Sequence, residues 1–281
     1  MSDILFKIKD LYCKYNTGST VLYIKDLVIP RGELVFVLGA SGIGKSTFIE
    51  TLGLMNDTIV KTAATSILLY PSGNQEGIEI KDSWSKIDEE ISRFRNKYFS
   101  FIFQSTNLMP NFTAGENMCI SQLIQGINLA DAKEQVIEVM KDLRLPMETF
   151  DKKITELSGG QRQRLAFVRA VTSAFEVLFG DEPTGNLDRY TAHKLMQIFN
   201  ENLKKYNRSG IIVSHDIDLA LSYADRIILL SSNQEHGYGE VLPENILVKK
   251  QGSWAQHSGK QLDNPLGQVE QVLGVNLSIL N

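Results

Sequence analysis

An α/β fold, with a mainly parallel sheet between helices and a small antiparallel layer at its N-terminal side, is predicted by three features of this 281-residue chain. Apolar runs of strand length alternate with segments of helical period in its second half, the pattern of strand–helix–strand units. Two strand-like segments at the start are separated by a turn too short for a crossover. A glycine-rich loop stands between an apolar strand and a helix near residue 40, the setting in which such a loop opens a helix.

Residues 4–13 and 21–29 read as the two N-terminal strands, divided by the turn-prone Tyr15-Asn16-Thr17-Gly18-Ser19 and closed by Pro30-Arg31-Gly32. The apolar run Leu34-Val35-Phe36-Val37-Leu38 is a buried strand, and Thr47 to Leu54 follows as a helix. Between residues 56 and 83, Ser66–Tyr70 and Gly77–Ile80 form strands around the turn Pro71-Ser72-Gly73-Asn74. Ile87, Ile91 and Phe94 fall at helical spacing before the strand Tyr98 to Phe103. Between Thr113 and Leu145 the period is helical, with Ala132, Val136, Val139, Met140 and Leu143 as one apolar stripe that reads as core. A helix over 161–173, a strand at Glu176-Val177-Leu178-Phe179 and a helix carrying Leu195, Ile198, Phe199 and Leu203 come next. Strands 210–213 and 226–230 complete the pattern, and a short helix is expected over 268–280.

Composition narrows the function. The net charge is -4, without a Lys/Arg stripe, so no direct nucleic-acid partner is expected. Cys13 and Cys119 are far apart and form no Cys-x-x-Cys pair, which suggests neither a disulfide framework nor a zinc site. Residues 1–10 interleave Asp3, Lys7, Lys9 and Asp10 with apolar residues, unlike a secretory signal. No window approaches the length of apolar chain that spans a bilayer, so any membrane association is expected to come through another chain.

The chemistry is concentrated in two places. In Gly39-Ala40-Ser41-Gly42-Ile43-Gly44-Lys45-Ser46, the spacing Gly-x4-Gly-Lys-Ser turns backbone N–H groups toward phosphate oxygens. Lys45 reaches the outer phosphates, the Ser46 hydroxyl is free for Mg²⁺, and Thr47 continues the cradle. Asp181-Glu182 directly follows Val177-Leu178-Phe179-Gly180, so both carboxylates leave a strand end, where open α/β sheets carry their sites. Asp181 suits Mg²⁺, and Glu182 suits orienting and deprotonating an attacking water. Two solvated loop carboxylates would be the plain alternative.

Together with Leu157-Ser158-Gly159-Gly160-Gln161, these segments resemble the ATP-binding cassette (ABC) ATPases, from about residue 4 to about residue 241. Alone, a Ser-Gly-Gly turn before a helix also reads as no more than an N-terminal cap. The resemblance implies a P-loop NTPase core over about 1–103 and 158–241, an inserted α-helical subdomain over about 104–157, and a C-terminal extension, 242–281, of no assigned role. It implies ATP and Mg²⁺ as cofactors, and hydrolysis of ATP to ADP and phosphate as the activity. By that resemblance Gln104 contacts Mg²⁺ and the water, His215 senses the γ-phosphate, and Tyr15 stacks on adenine, although Tyr12 and Tyr23 compete for that place. Ser158, Gly159, Gly160 and Gln161 then bind the nucleotide held by a second protomer, with Gly185-Asn186-Leu187-Asp188 along the interface. A homodimer or paired ATPase subunit is implied, together with an integral membrane permease, and hence a cytoplasmic, peripheral location on the inner face of the cell membrane.

Residues 103–117 and 181–188 are similar to the subgroup for lipoprotein release, macrolide export and cell division. The chain departs from that subgroup over 56–83. Leu108, Met109 and Phe112 read equally as a groove for a membrane partner's helix and as core packing. A soluble ATPase regulating cell division or DNA maintenance is the rival reading. DNA-maintenance members of the superfamily carry a long coiled coil or zinc cysteines between phosphate loop and signature, and neither is present in this sequence.

Overall fold

Residues 4–16 and 18–274 are described by a computed structural model. One sheet runs through the whole chain. Its strands are β1 (Ile4–Lys14), β2 (Thr20–Pro30), β3 (Leu34–Leu38), β4 (Ile59–Val60), β5 (Ser66–Leu69), β6 (Ile78–Glu79), β7 (Phe99–Ile102), β8 (Val177–Asp181), β9 (Ser209–Val213), β10 (Arg226–Ser232), β11 (Gly239–Lys250) and β12 (Ser253–Gln256). The order across the sheet is β6-β5-β1-β2-β11-β10-β3-β9-β8-β7, with β12 beside β11 and β4 beside β1. From β10 to β7 all neighbours are parallel, whereas β1, β2, β5 and β6 pair antiparallel. The expected parallel core and antiparallel layer are therefore two parts of a single sheet.

Alternation of side chains explains why the central strands are apolar throughout. In β3, Leu34, Phe36 and Leu38 face one hydrophobic cluster while Val35 and Val37 face the other. In β8, Leu178 faces the first cluster and Val177 and Phe179 the second. A strand covered on both faces has no polar side to display.

The helices are α1 (Lys45–Leu52), α2 (Asp88–Tyr98), α3 (Ala114–Ile124), α4 (Leu129–Asp142), α5 (Gly159–Thr172), α6 (Arg189–Tyr206), α7 (Ile217–Tyr223) and α8 (Pro265–Leu273). Thr113 starts α3 with a capping box shared with Glu116, and α4 buries Ala132, Val136 and Met140 against the helical cluster. Among the described residues no helix is long and apolar enough to cross a membrane.

Two expectations about the tail are corrected. The boundary placed after residue 241 falls inside β11, which continues to Lys250 between β10 and β12. Leu247, Trp254 and Val269 are buried with Ala220 and Leu229 in the helical cluster, so these residues belong to the same core. The last helix begins at Pro265 rather than at 268, because the Asn264 side chain accepts from Gly267 N and Pro265 supplies a ready-made first turn. It closes at Gly274 in the left-handed region, and the remaining residues of the expected helix lie outside the described ones.

Candidate active site

The loop after β3 wraps a helix start that has no side-chain cap. Gly44, at φ 104°, precedes α1, and Gly42, at φ 76°, turns the loop before it, both in the region that only glycine enters freely. The first N–H groups of α1 have no intrahelical acceptor, which lets this terminus attract an anion. Lys45 Nζ lies across the mouth of the loop, donating to the carbonyls of Gly39 and Ala40 at 3.0 Å each. Ser41, exposed at the tip, and Ile43, tucked beneath it, complete the turn.

Asp181 and Glu182 diverge from the end of β8. Asp181 Oδ2 accepts from the Ser46 hydroxyl at 3.0 Å. Its carboxyl is held above the usual range, first by burial, opposed by the Ser46 hydrogen bond, and then raised by the charges of Glu182 and Glu50 against the lowering effect of Lys45. A cation beside Ser46 would relieve that desolvated charge. Glu182 takes φ 49°, and its N–H donates to Val213 O at 3.0 Å, which turns its side chain away from Asp181 toward the end of β9. There Glu182 Oε2 pairs with His215 Nδ1 at 2.8 Å, the carboxylate side chain 14% and the imidazole 75% exposed. Left-handed backbone at a glutamate is uncommon and is strain spent on aim.

Of the three tyrosines, Tyr12 and Tyr23 stack on each other with centroids 4.2 Å apart. Tyr15 keeps 39% of its surface exposed, its hydroxyl bonded to Thr47 Oγ1 and Glu50 Oε2 at 3.0 Å each, at the first turn of α1. Gln104 is exposed, two residues beyond Ile102, which pairs with Gly180 in the register of β7 and β8. It therefore stands at the strand end next to Asp181, although no hydrogen bond joins their side chains among the described residues.

The second constellation is built at the start of α5. Ser158 Oγ accepts from Gln161 N at 3.2 Å and Gln161 Oε1 accepts from Ser158 N at 2.8 Å, a capping box that opens α5. The Gln161 side chain is engaged in that box. The Ser158 hydroxyl keeps its proton to donate, and the N–H groups of Gly159 and Gly160 remain at the first two helical positions. A side chain at Gly159 would meet nothing within 4 Å, whereas at Gly160 it would touch Leu187, so the 185–188 loop lies alongside. No hydrogen bond joins residues 158–161 to residues 39–47 among the described residues.

Three positioning residues escaped the sequence reading. Fully buried Asn117 accepts from Met109 N at 2.7 Å and donates to the carbonyls of Met109 and Thr113, pinning the loop after Gln104. Arg169 donates to the carbonyls of Asn107 and Thr106 from below. Gln163, also buried, donates to Pro183 O at 2.7 Å and so ties α5 to the loop after Glu182. Their one sequence signal is a polar side chain on an otherwise apolar helix face. The same loop carries the three apolar residues read both ways: Leu108 packs on the helical cluster, whereas Met109 and Phe112 are 41% and 37% exposed.

A phosphate cradle, two divergent carboxylates and a detached helix start define a nucleotide-hydrolysing cassette. The model of the ABC transporter family matches residues 24–185, and the chain belongs to that family as its ATPase cassette. It is 37% identical over 234 residues to the lipoprotein-releasing system ATP-binding protein LolD of Legionella pneumophila strain Lens, covering 82% of this chain and 96% of that protein. It is 33% identical over 237 residues to the macrolide export ATP-binding/permease protein MacB of Vibrio parahaemolyticus, covering 83% of this chain and 34% of the longer relative. Among solved structures, the dimeric bacterial ABC transporter cassette MJ0796 superposes with a TM-score of 0.67 at 28% identity, covering 80% of this chain and 94% of that one. The same cassette in a dimeric post-hydrolysis state bound to ADP and Pi gives 0.68 at 26% identity, with 90% and 99% covered.

Proposed function

We propose that this chain binds Mg-ATP, closes as a dimer around two nucleotides, and by hydrolysing them drives a separate membrane permease of the kind used in lipoprotein release or macrolide export. The observation that carries this reading is the divergence of Asp181 and Glu182 at the end of β8, one toward the Ser46 hydroxyl and the other toward His215. The carboxylate oxygen of Asp181 and the hydroxyl oxygen of Ser46 would hold Mg²⁺, which would supply positive charge against the phosphates. No cluster of three His, Cys, Asp or Glu residues able to hold a metal occurs among the described residues.

The residues divide the work. The N–H groups of residues 42–47 and the Lys45 ammonium grip the β- and γ-phosphates, and Tyr15 offers its face to the base. Glu182 takes a proton from the attacking water, while His215 and Gln104 orient the γ-phosphate and that water. The Ser158 hydroxyl and the N–H groups of Gly159 and Gly160, not bonded to their own phosphate loop, close on the γ-phosphate of the partner. Helix-start attraction for an anion is worth up to about 2 kcal/mol in partly buried geometry, a contribution the dimer gains only when nucleotide is bound. By its likeness to the ATP-binding proteins of lipoprotein release and macrolide export, the chain sits on the cytoplasmic face through its permease.

Ser158→Arg tests the trans arrangement. ATP affinity should stay near wild type while turnover vanishes, whereas Lys45→Ala should lose affinity. Equal loss of affinity in both variants would mean that Ser158 serves its own phosphate loop.

A further inference from the structure

We propose that Gly239 is a positioning residue for the phosphate loop, and that the turn leading into β11, locked by a stack of aromatic rings, sets how tightly the loop holds nucleotide. Three contacts seat the loop. A side chain on Gly39 would stand 2.8 Å from Ile43 Cγ2 and 3.1 Å from Leu230 Cβ, at the end of β10. One on Gly44 would stand 3.2 Å from Val21 O in β2. One on Gly239 would run straight into the carbonyl oxygen of Ile43, with Ile43 Cγ1 also 3.3 Å away. Strands β10, β2 and β11 thus form a bed for the loop, and the tightest of these approaches is at Gly239, against the Ile43 carbonyl.

Which side yields to an added methyl group decides the consequence. Gly239 belongs to two ladders at once, opposite Ser232 of β10 and Leu22 of β2. The turn before it is also fixed. Asn233 N donates to Tyr238 O at 2.8 Å, Asn233 Oδ1 accepts from the N–H groups of Glu235 and His236, and Asn233 Nδ2 donates to Glu240. Tyr238 stacks with His236 and meets Tyr23 edge-on at 6.2 Å, and Tyr23 in turn stacks on Tyr12. Across the contact lies a loop with left-handed glycines at 42 and 44, and the space around Gly42 is open to 4 Å. The loop moves, not the strand. A glycine in a strand interior where another backbone approaches closely is the general form of this arrangement.

The inference rests on the reading of residues 39–47 as the nucleotide grip, and the experiment separates the two. Equilibrium binding of ATP and ADP is measured for wild type, Gly239→Ala, Tyr238→Ala and Lys45→Ala, with melting temperature recorded without nucleotide. Gly239→Ala should weaken both nucleotides about tenfold or more, since displacements near 1 Å at a binding constellation cost on that order. Its nucleotide-free melting temperature should fall by no more than about 2 °C, because the loop can relax into solvent. Tyr238→Ala, which loosens the turn without filling the seat, should weaken both nucleotides about threefold, the scale of one aromatic pair. A folded Gly239→Ala protein with wild-type affinities overturns the proposal. If that variant does not fold, wild-type affinities in Tyr238→Ala overturn it. Unimpaired binding in Lys45→Ala would instead refute the nucleotide reading itself.

Discussion

Glu182→Gln separates base catalysis from every other duty of the site. Glutamine keeps the shape of glutamate and can still accept a hydrogen bond from His215 Nδ1, which lies 2.8 Å from the carboxylate. The left-handed backbone at 182 and its bond to Val213 O involve no side-chain atom, so the aim of the residue is preserved. Folding should change little, because the imidazole partner is 75% exposed and ion pairs screened by water contribute about 1 kcal/mol or less. Lost basicity is another matter. A positioned general base contributes roughly 10²- to 10⁴-fold, or about 3–5 kcal/mol of barrier. Phosphate release at saturating Mg-ATP should therefore fall at least a hundredfold while ATP affinity remains, and the variant should elute as a nucleotide-dependent dimer on gel filtration. Turnover above a tenth of wild type would remove Glu182 from the role of base. A variant that stays monomeric with Mg-ATP would count against the dimer.

Further outcomes follow from the two cysteines and from the loop after Gln104. Burial pushes the Cys13 thiol from 9.0 up to about 11, against the lowering effect of hydrogen bonds from Thr51 and Thr58. A raised thiol favours the neutral form in the folded state, so its contribution to stability is complete below pH 9.0 and is lost as pH climbs through about 11. At pH 8 a disulfide reagent should leave the two buried cysteines unlabelled in the native protein and titrate both in denaturant; fast native labelling of Cys13 would show the pocket to be open. Replacing both Met109 and Phe112 with Asp should abolish co-purification with a membrane partner and leave melting temperature and ATP affinity intact, as both side chains are already partly in water. Undiminished co-purification would move the docking surface elsewhere.

Much of this was readable before any coordinates, for identifiable reasons. Strands such as Leu34–Leu38 are covered on both faces, so they read as unbroken apolar runs, and the glycine loop and Asp181-Glu182 follow directly at their ends. The start of α5 was legible in part, since Ser158 reads as an N-terminal cap, although the helix expected from 161 begins at Gly159 and a cap does not say that Gln161 is engaged internally. Leu108, Met109 and Phe112 were ambiguous because one turns inward and two outward within a loop that has no period. The tail was illegible because its buried residues, Leu247, Trp254 and Val269, belong to three separate elements. The seat at Gly239 was illegible too, since it depends on a carbonyl of Ile43 brought there by folding.

Because β11 is the strand between β2 and β10, the antiparallel layer is joined to the parallel core by a strand that follows both of them in the sequence. During synthesis β1 and β2 can pair locally and β3 can find β9, yet the two halves share no ladder until Gly239–Val241 has left the ribosome and paired with Leu22–Ile24. Closing a loop of that length is entropically slow, and the half-sheets carry open edges while they wait. The phosphate loop lies at that seam. A nascent chain that has not yet reached residue 241 would thus lack the bed on which nucleotide is gripped, and ATP binding would wait for that strand to pair.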